Sequence, residues 1–192
     1  MSAESVTIET QFRDVPFATM PLTARVYDIP GLIEADARHK LRNASANMFA
    51  INDLPAAPTI VLFVMEAQGG RVIDEDQCAF AAFARYCPAL AASPATVFIM
   101  NKVNVDDFSS AEALAAYAGD ISQQLTGGLK LGHAARVELI DNFSAAARRD
   151  ATVMSDLRQR LWRLVGELLP AASPLQPAPG VSLELDRDVA LK

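Results

Sequence analysis

Two short apolar runs constrain the fold of this chain more than anything else in it. Ile60-Val61-Leu62-Phe63-Val64-Met65 and Thr96-Val97-Phe98-Ile99-Met100 contain no charged residue. A strand with one face in water alternates apolar and polar side chains. An unbroken run of five or six such residues suits a central strand of a parallel sheet, buried on both faces. Parallel neighbours require a long crossover, and the chain between the runs supplies one. Residues Asp74 to Leu90 are predicted helical, with Asp74-Glu75-Asp76 at the positive end of the helix dipole. Neither run approaches the roughly 20 apolar residues that cross a bilayer.

The remaining elements follow the same alternation. Thr7 to Phe12 and Leu22 to Tyr27 alternate apolar with polar residues around a linker holding Pro16 and Pro21, which predicts a hairpin. A helix is predicted over Ile33 to Phe49. Another starts at Ser109, where Ser109-x-x-Glu112 reads as a capping box, and runs to about Leu125 with Gly127-Gly128 as its stop. Arg136 to Ile140 reads as a strand nearer a sheet edge. From Asp150 to Leu169, Val153, Leu157, Leu161, Leu164 and Leu168 form one helical stripe, closed by Pro170. Strands alternating with helices predict an α/β fold with a doubly wound, mostly parallel sheet and helices on both faces. Residues 1–169 are expected to form this domain. Residues 170–192 are expected to be a proline-rich linker and tail, with Val181 to Leu185 as a short terminal strand.

Charge and cysteine content narrow the partners. Seventeen basic against 23 acidic residues give a net charge of -6, which disfavours nucleic acid or an anionic membrane. Arg148, Arg149, Arg158, Arg160 and Arg163 cluster, but Asp150 and Asp156 interleave with them, as on a solvated helix face. Cys78 and Cys87 lie nine residues apart in one predicted helix, on opposite faces, and cannot bridge each other. Unpaired thiols suit a reducing compartment. The first residues show no apolar stretch behind a basic flank, so a cytoplasmic protein without a transmembrane segment is expected. His39 and His133 are isolated, and no Cys/His spacing suggests zinc.

The candidate chemistry sits at predicted strand ends. Asp28-Ile29-Pro30-Gly31 follows a strand. An Asp there can hold Mg²⁺ through water, and a Gly three residues on lets its backbone N–H approach a γ-phosphate. Asn101-Lys102-Val103-Asn104 follows the apolar strand ending at Met100. GTPases carry N-K-x-D there, with the Asp accepting two hydrogen bonds from guanine. Asn104 replaces that Asp, and a neutral amide brings a donor where an acceptor is needed. Thr7 lies upstream of the Asp28 strand, and Asn142 follows the last strand.

In this order the pieces resemble the avirulence-induced-gene and immunity-associated (GIMAP-type) GTPases, relatives of the chloroplast-import Toc GTPases. The resemblance spans roughly residues 5 to 168 and rests on Ser5-Val6-Thr7, Tyr27-Asp28-Ile29-Pro30-Gly31-Leu32, Gln68-Gly69-Gly70-Arg71 with Asp74-Glu75-Asp76, and Ile140-Asp141-Asn142. It implies a guanine-nucleotide-binding domain using GTP and Mg²⁺. In such a domain Thr7 and Asp28 serve the metal, Gly31 the γ-phosphate, and Asn101, Lys102, Asn104 and Asn142 the base. It also implies a possible homodimer through the nucleotide face. One part is missing: no G-x-x-x-x-G-K-[ST] string occurs in the 192 residues. Met1 falls where the first helix of such a domain would have ended. The expectation is therefore a P-loop GTPase-like domain lacking its first strand, phosphate loop and first helix, impaired in GTP binding and hydrolysis. The alternative is a pseudo-GTPase, an interaction module that binds no nucleotide. The missing strand belongs between the Leu22–Tyr27 and Ile60–Met65 strands, so its absence leaves two open edges unless those strands close on each other.

Overall fold

Both apolar runs become neighbouring parallel strands, and the rest of the chain is arranged around them. The computed structural model describes residues 11–16, 23–29, 46–68 and 71–180. Its strands are β1 (Gln11–Pro16), β2 (Thr23–Asp28), β3 (Val61–Gln68), β4 (Arg71–Val72), β5 (Thr96–Val103) and β6 (Arg136–Asp141). Its helices are α1 (Asp74–Tyr86), α2 (Ala89–Ala92), α3 (Ala111–Gly128) and α4 (Ala151–Leu168), and residues 46–52 are also helical. The main sheet has the order β4-β3-β5-β6. Strands β3, β5 and β6 run parallel, and β4 turns back antiparallel against Ala67 and Gln68. The chain is thus mixed α/β, with a three-stranded parallel sheet flanked by helices.

The two sheet faces carry separate cores. On one, Phe98 and Met100 of β5 and Met65 of β3 pack with Phe80 and Phe83 of α1 and with Ile121 and Leu125 of α3. Phe80 lies 4.9 Å from Phe98 and 5.2 Å from Phe63 between ring centroids, in tilted and edge-on contacts. Full burial of one such side chain contributes about 1.5–3 kcal/mol. On the other face, Val97 and Ile99 pack against Leu164 and Leu168 of α4. Helices therefore cover both faces, as the unbroken apolar runs require.

Coverage stops short at β3. Its residues Leu62 and Val64 lie in register with Val97 and Ile99. Yet they are 40% and 60% exposed, against 0% and 3% for their partners. Among the described residues, Val61–Glu66 has a strand neighbour on the β5 side alone. The N-terminal hairpin does not close this edge, because β1 and β2 form a two-stranded sheet of their own. Among the described residues, the edge of β2 turned away from β1 likewise carries no strand partner.

Several expectations need correction. The first strand is described over Gln11–Pro16 and so runs past the expected end at Phe12; Thr7 to Thr10 lie outside the described residues. The strand extends to Pro16 because that residue ends the ladder opposite Thr23, where a missing N–H is tolerated. The second strand continues one residue past the expected end at Tyr27, taking in Asp28 opposite Gln11, while Leu22 lies outside the described residues. Of the helix expected over Ile33 to Phe49, residues 33–45 lie outside the described residues, and the visible part continues to residue 52. The helix expected over Asp74 to Leu90 breaks after Tyr86, since Cys87 precedes Pro88 and takes φ -130°, ψ 87°. Cys87 is thus that helix's C-cap rather than part of its face. Its buried thiol donates to the Gln176 carbonyl oxygen at 3.3 Å, and both cysteines are free.

The cap of α3 is Ser110, not Ser109; its extended backbone aims Oγ at the Ala113 N–H, 3.2 Å away. Gly127 and Gly128 do not stop that helix but form its last two residues. The left-handed stop is Lys130, at φ 52°. The Leu131 N–H reaches the Thr126 carbonyl and the Lys130 N–H reaches that of Gly127, which is a Schellman closure. Helix α4 starts as expected, with Asp150 Oδ1 accepting from the N–H groups of Thr152 and Val153. The proline-bearing segment behind it lies on the core. Ser173 bridges to Thr59, Leu175 packs into the aromatic cluster, and the Ala178 N–H donates to the Tyr86 carbonyl at 2.8 Å. Residues 181–192, with the strand expected at Val181 to Leu185, lie outside the described residues.

Candidate functional site

The candidate site grows from the C-terminal ends of β5 and β6, where parallel α/β sheets place their ligands. Strand β5 does not end at Met100 as its apolar run suggests. It continues through Asn101 and Lys102 to Val103. Met100 pairs with Leu139 and Val103 with Asp141, so β5 spends one residue more than β6 over this stretch. The result is a bulge, a feature that re-aims side chains next to functional sites. Lys102 carries the distortion at φ 59°, in a region that disfavours side chains. Two contacts hold it there. Its N–H donates to Asn101 Oδ1 at 3.0 Å, and its Nζ pairs with Glu66 Oε2 at the end of β3, 2.9 Å away.

Past the bulge, the loop folds back onto the end of β6. The Asn142 N–H donates to the Val103 carbonyl at 2.8 Å. The Val105 N–H donates to Asp141 Oδ1 at 3.3 Å, and Asn142 Nδ2 donates to Asn104 Oδ1 at 3.0 Å. These three bonds clasp residues 103–105 to residues 141–142. A one-turn 3-10 helix, Val105–Asp107, follows. Above the clasp opens a cavity of about 390 Å³, lined by Asn104, Asp106, Asp107, Asp141, Asn142, Phe143, Ser144 and Ala147. That volume lies within the usual range for small-molecule sites. Three carboxylates at its rim repel anions and suit a neutral ligand edge bearing N–H donors.

Of the residues expected to serve a base, Asn104 and Asn142 meet directly in this cavity. Asn101 and Lys102 sit beside it, in the bulge, without lining it. Asp28 closes β2 in the separate hairpin sheet and is not among the lining residues. Thr7 and Gly31 lie outside the described residues. The described residues therefore do not by themselves fit Mg²⁺ or a triphosphate. The metal set is left with the single carboxylate of Asp28, and among the described residues no group of three His, Cys, Asp or Glu side chains is placed to hold a metal ion. Neither Asp141 nor Glu66 was given a role from sequence, although both fasten the site. Asp141 stands next to Asn142, so its place could have been read; Glu66 reaches Lys102 across 36 residues, and only the sheet brings the two together.

A second concavity, about 490 Å³, lies between the hairpin and residues 46–53, lined by Phe12, Arg25, Tyr27, Phe49 and Asp53 among others. Arg25 pairs with Asp14 at 2.7 Å and sits 4.9 Å over the Phe12 ring. The Arg25 hydrogen bond holds the Asp14 carboxyl below its ordinary value, and the same contact raises Arg25. Both partners are solvent-exposed, so the pair contributes little to stability.

Among the described residues, no helix is long and apolar enough to cross a membrane. No protein-family model matches the chain, and no curated protein matches it.

Proposed function

We propose that this chain is a nucleotide-binding domain of the P-loop GTPase type, related to the GIMAP-like GTPases. In this reading the residues present supply the base-binding side and not the phosphate-binding side. One observation carries it: Asn104 and Asn142, from the ends of adjacent parallel strands, are hydrogen-bonded over a cavity of ligand size. The order of elements supports it as well, since three parallel strands with helices on both faces place those ends at a common rim. Without the string G-x-x-x-x-G-K-[ST], most phosphate and Mg²⁺ contacts of such a domain are lacking. GTP binding is then weak, Mg²⁺-independent and without hydrolysis.

A second reading, a pseudo-GTPase interaction module that dimerises through the same face, draws on Asn104 standing where guanine recognition requires an acceptor. Titration of ¹⁵N-labelled 1–192 with GTP, GDP and ATP, with and without Mg²⁺, separates the two. The nucleotide-binding reading expects shifts confined to residues 101–107 and 141–144, unaffected by Mg²⁺. A folded sample in which no nucleotide moves those resonances leaves the interaction module, and sedimentation then reads its dimerisation. Tight, Mg²⁺-dependent binding would contradict both.

A further inference from the structure

We infer that the cavity above the Asn104–Asn142 clasp takes the imide edge of a nucleobase, a ring N–H flanked by two carbonyls as in xanthine or uracil, in preference to guanine. This rests on the base-site reading, in which position 104 faces the N1 and C2 side of the ring. The clasp decides the chemistry. Asn142 Nδ2 donates to Asn104 Oδ1 at 3.0 Å, so the amide of Asn104 is held in one of its two orientations. With Oδ1 turned to Asn142, the group Asn104 presents to a ligand is the Nδ2 donor. The backbone beneath is pinned as well, by Val105 N–H on Asp141 Oδ1 and Asn142 N–H on the Val103 carbonyl.

Guanine meets this donor with a second donor, its 2-amino group. A carbonyl at that position instead accepts from Nδ2, and the carboxylates of Asp106 and Asp107, which line the same cavity, supply acceptors for the adjacent ring N–H. Xanthine and uracil share this imide edge and differ in ring system.

Nucleosides test the idea directly, because they need no phosphate loop. The ¹⁵N-labelled 1–192 chain is titrated with xanthosine, uridine and guanosine at about pH 5, where xanthosine keeps its neutral imide. The Asn104 side-chain amide and the Val105 N–H report binding. One or both imide nucleosides are expected to bind at least about fivefold tighter than guanosine, the size of one mismatched hydrogen bond; the tighter of the two identifies the ring system. Asn104→Asp replaces the donor with an acceptor and is expected to reverse the order. Should that variant fail to fold, Asn142→Ala, which frees the Asn104 amide to turn, is expected to shrink the preference. Guanosine binding as tightly as both imides in the parent chain overturns this inference while leaving the base site intact. If no nucleoside moves either resonance, the base-site reading falls with it.

Discussion

Lys102 and Lys130 are the two non-glycine residues with positive φ among the described residues, and each marks a place where local sequence yields to its surroundings. At Lys130 the strain sits in a helix stop that glycine would fill better. We expect Lys130→Gly to stabilise the chain by about 0.5–1 kcal/mol, the relief of the left-handed penalty less the added chain entropy of glycine. A higher urea midpoint with an unchanged slope would show it. Asp76 makes a second test at this scale. Burial pushes its carboxyl above the ordinary value, the neighbouring Glu66 and Glu75 carboxylates add to the rise, and the bond from the Glu66 N–H opposes it. Folding therefore disfavours the charged form. The penalty is absent below the ordinary carboxylate pKa, where both states are protonated. It grows as pH rises through the window up to the raised folded value, and is complete above it. Asp76→Asn keeps an acceptor for the Glu66 N–H, so it should exceed the parent in thermal stability at pH 7. The difference should vanish near pH 3; a gain that persists there would refute the assignment.

Among the elements, α4 shows how far a periodic stripe predicts burial. Its five apolar positions were legible in the sequence, but only Leu164 and Leu168, at the C-terminal end, are fully buried. The sheet lies under that end, against Val97 and Ile99. Leu164→Ala should cost about 2–4 kcal/mol in equilibrium unfolding, and Leu157→Ala, half-buried two turns earlier in the same stripe, about 1 kcal/mol or less. Equal losses would mean the whole stripe is packed. Boundaries were less legible than the elements themselves. The α1 break at Cys87–Pro88 follows from a local rule that was available in the sequence. The Ser110 cap was not distinguishable from Ser109, because adjacent residues of the same chemistry compete and packing chooses between them; the Lys130 stop was masked by Gly127-Gly128, which carry the usual stop signal three residues earlier. The bulge at Asn101–Lys102 left no local signal either, since it exists only against the register of β6.

The whole molecule divides into a well-packed sheet and a hairpin with little support. Among the described residues β1 and β2 pair only with each other, and most of their residues are exposed. Two-stranded units of this kind are marginal in water. Native-state hydrogen exchange should therefore release the amides of Gln11–Pro16 and Thr23–Asp28 by local opening, while the Val97–Met100 amides exchange only with global unfolding. Equal protection of both would show that the hairpin belongs to the main cooperative unit. By itself the sequence determined the α/β class, the parallel pairing of the two apolar runs, the helices between them and the charged N-terminus of α1. These follow from side-chain periodicity and dipole chemistry, which act over a few residues. Only the tertiary structure decided that the hairpin stays apart from β3, that Glu66 tethers Lys102, and that Asn142 turns the Asn104 amide. Each depends on which backbones lie side by side, and that is set by the packing of the sheet rather than by any local run of residues.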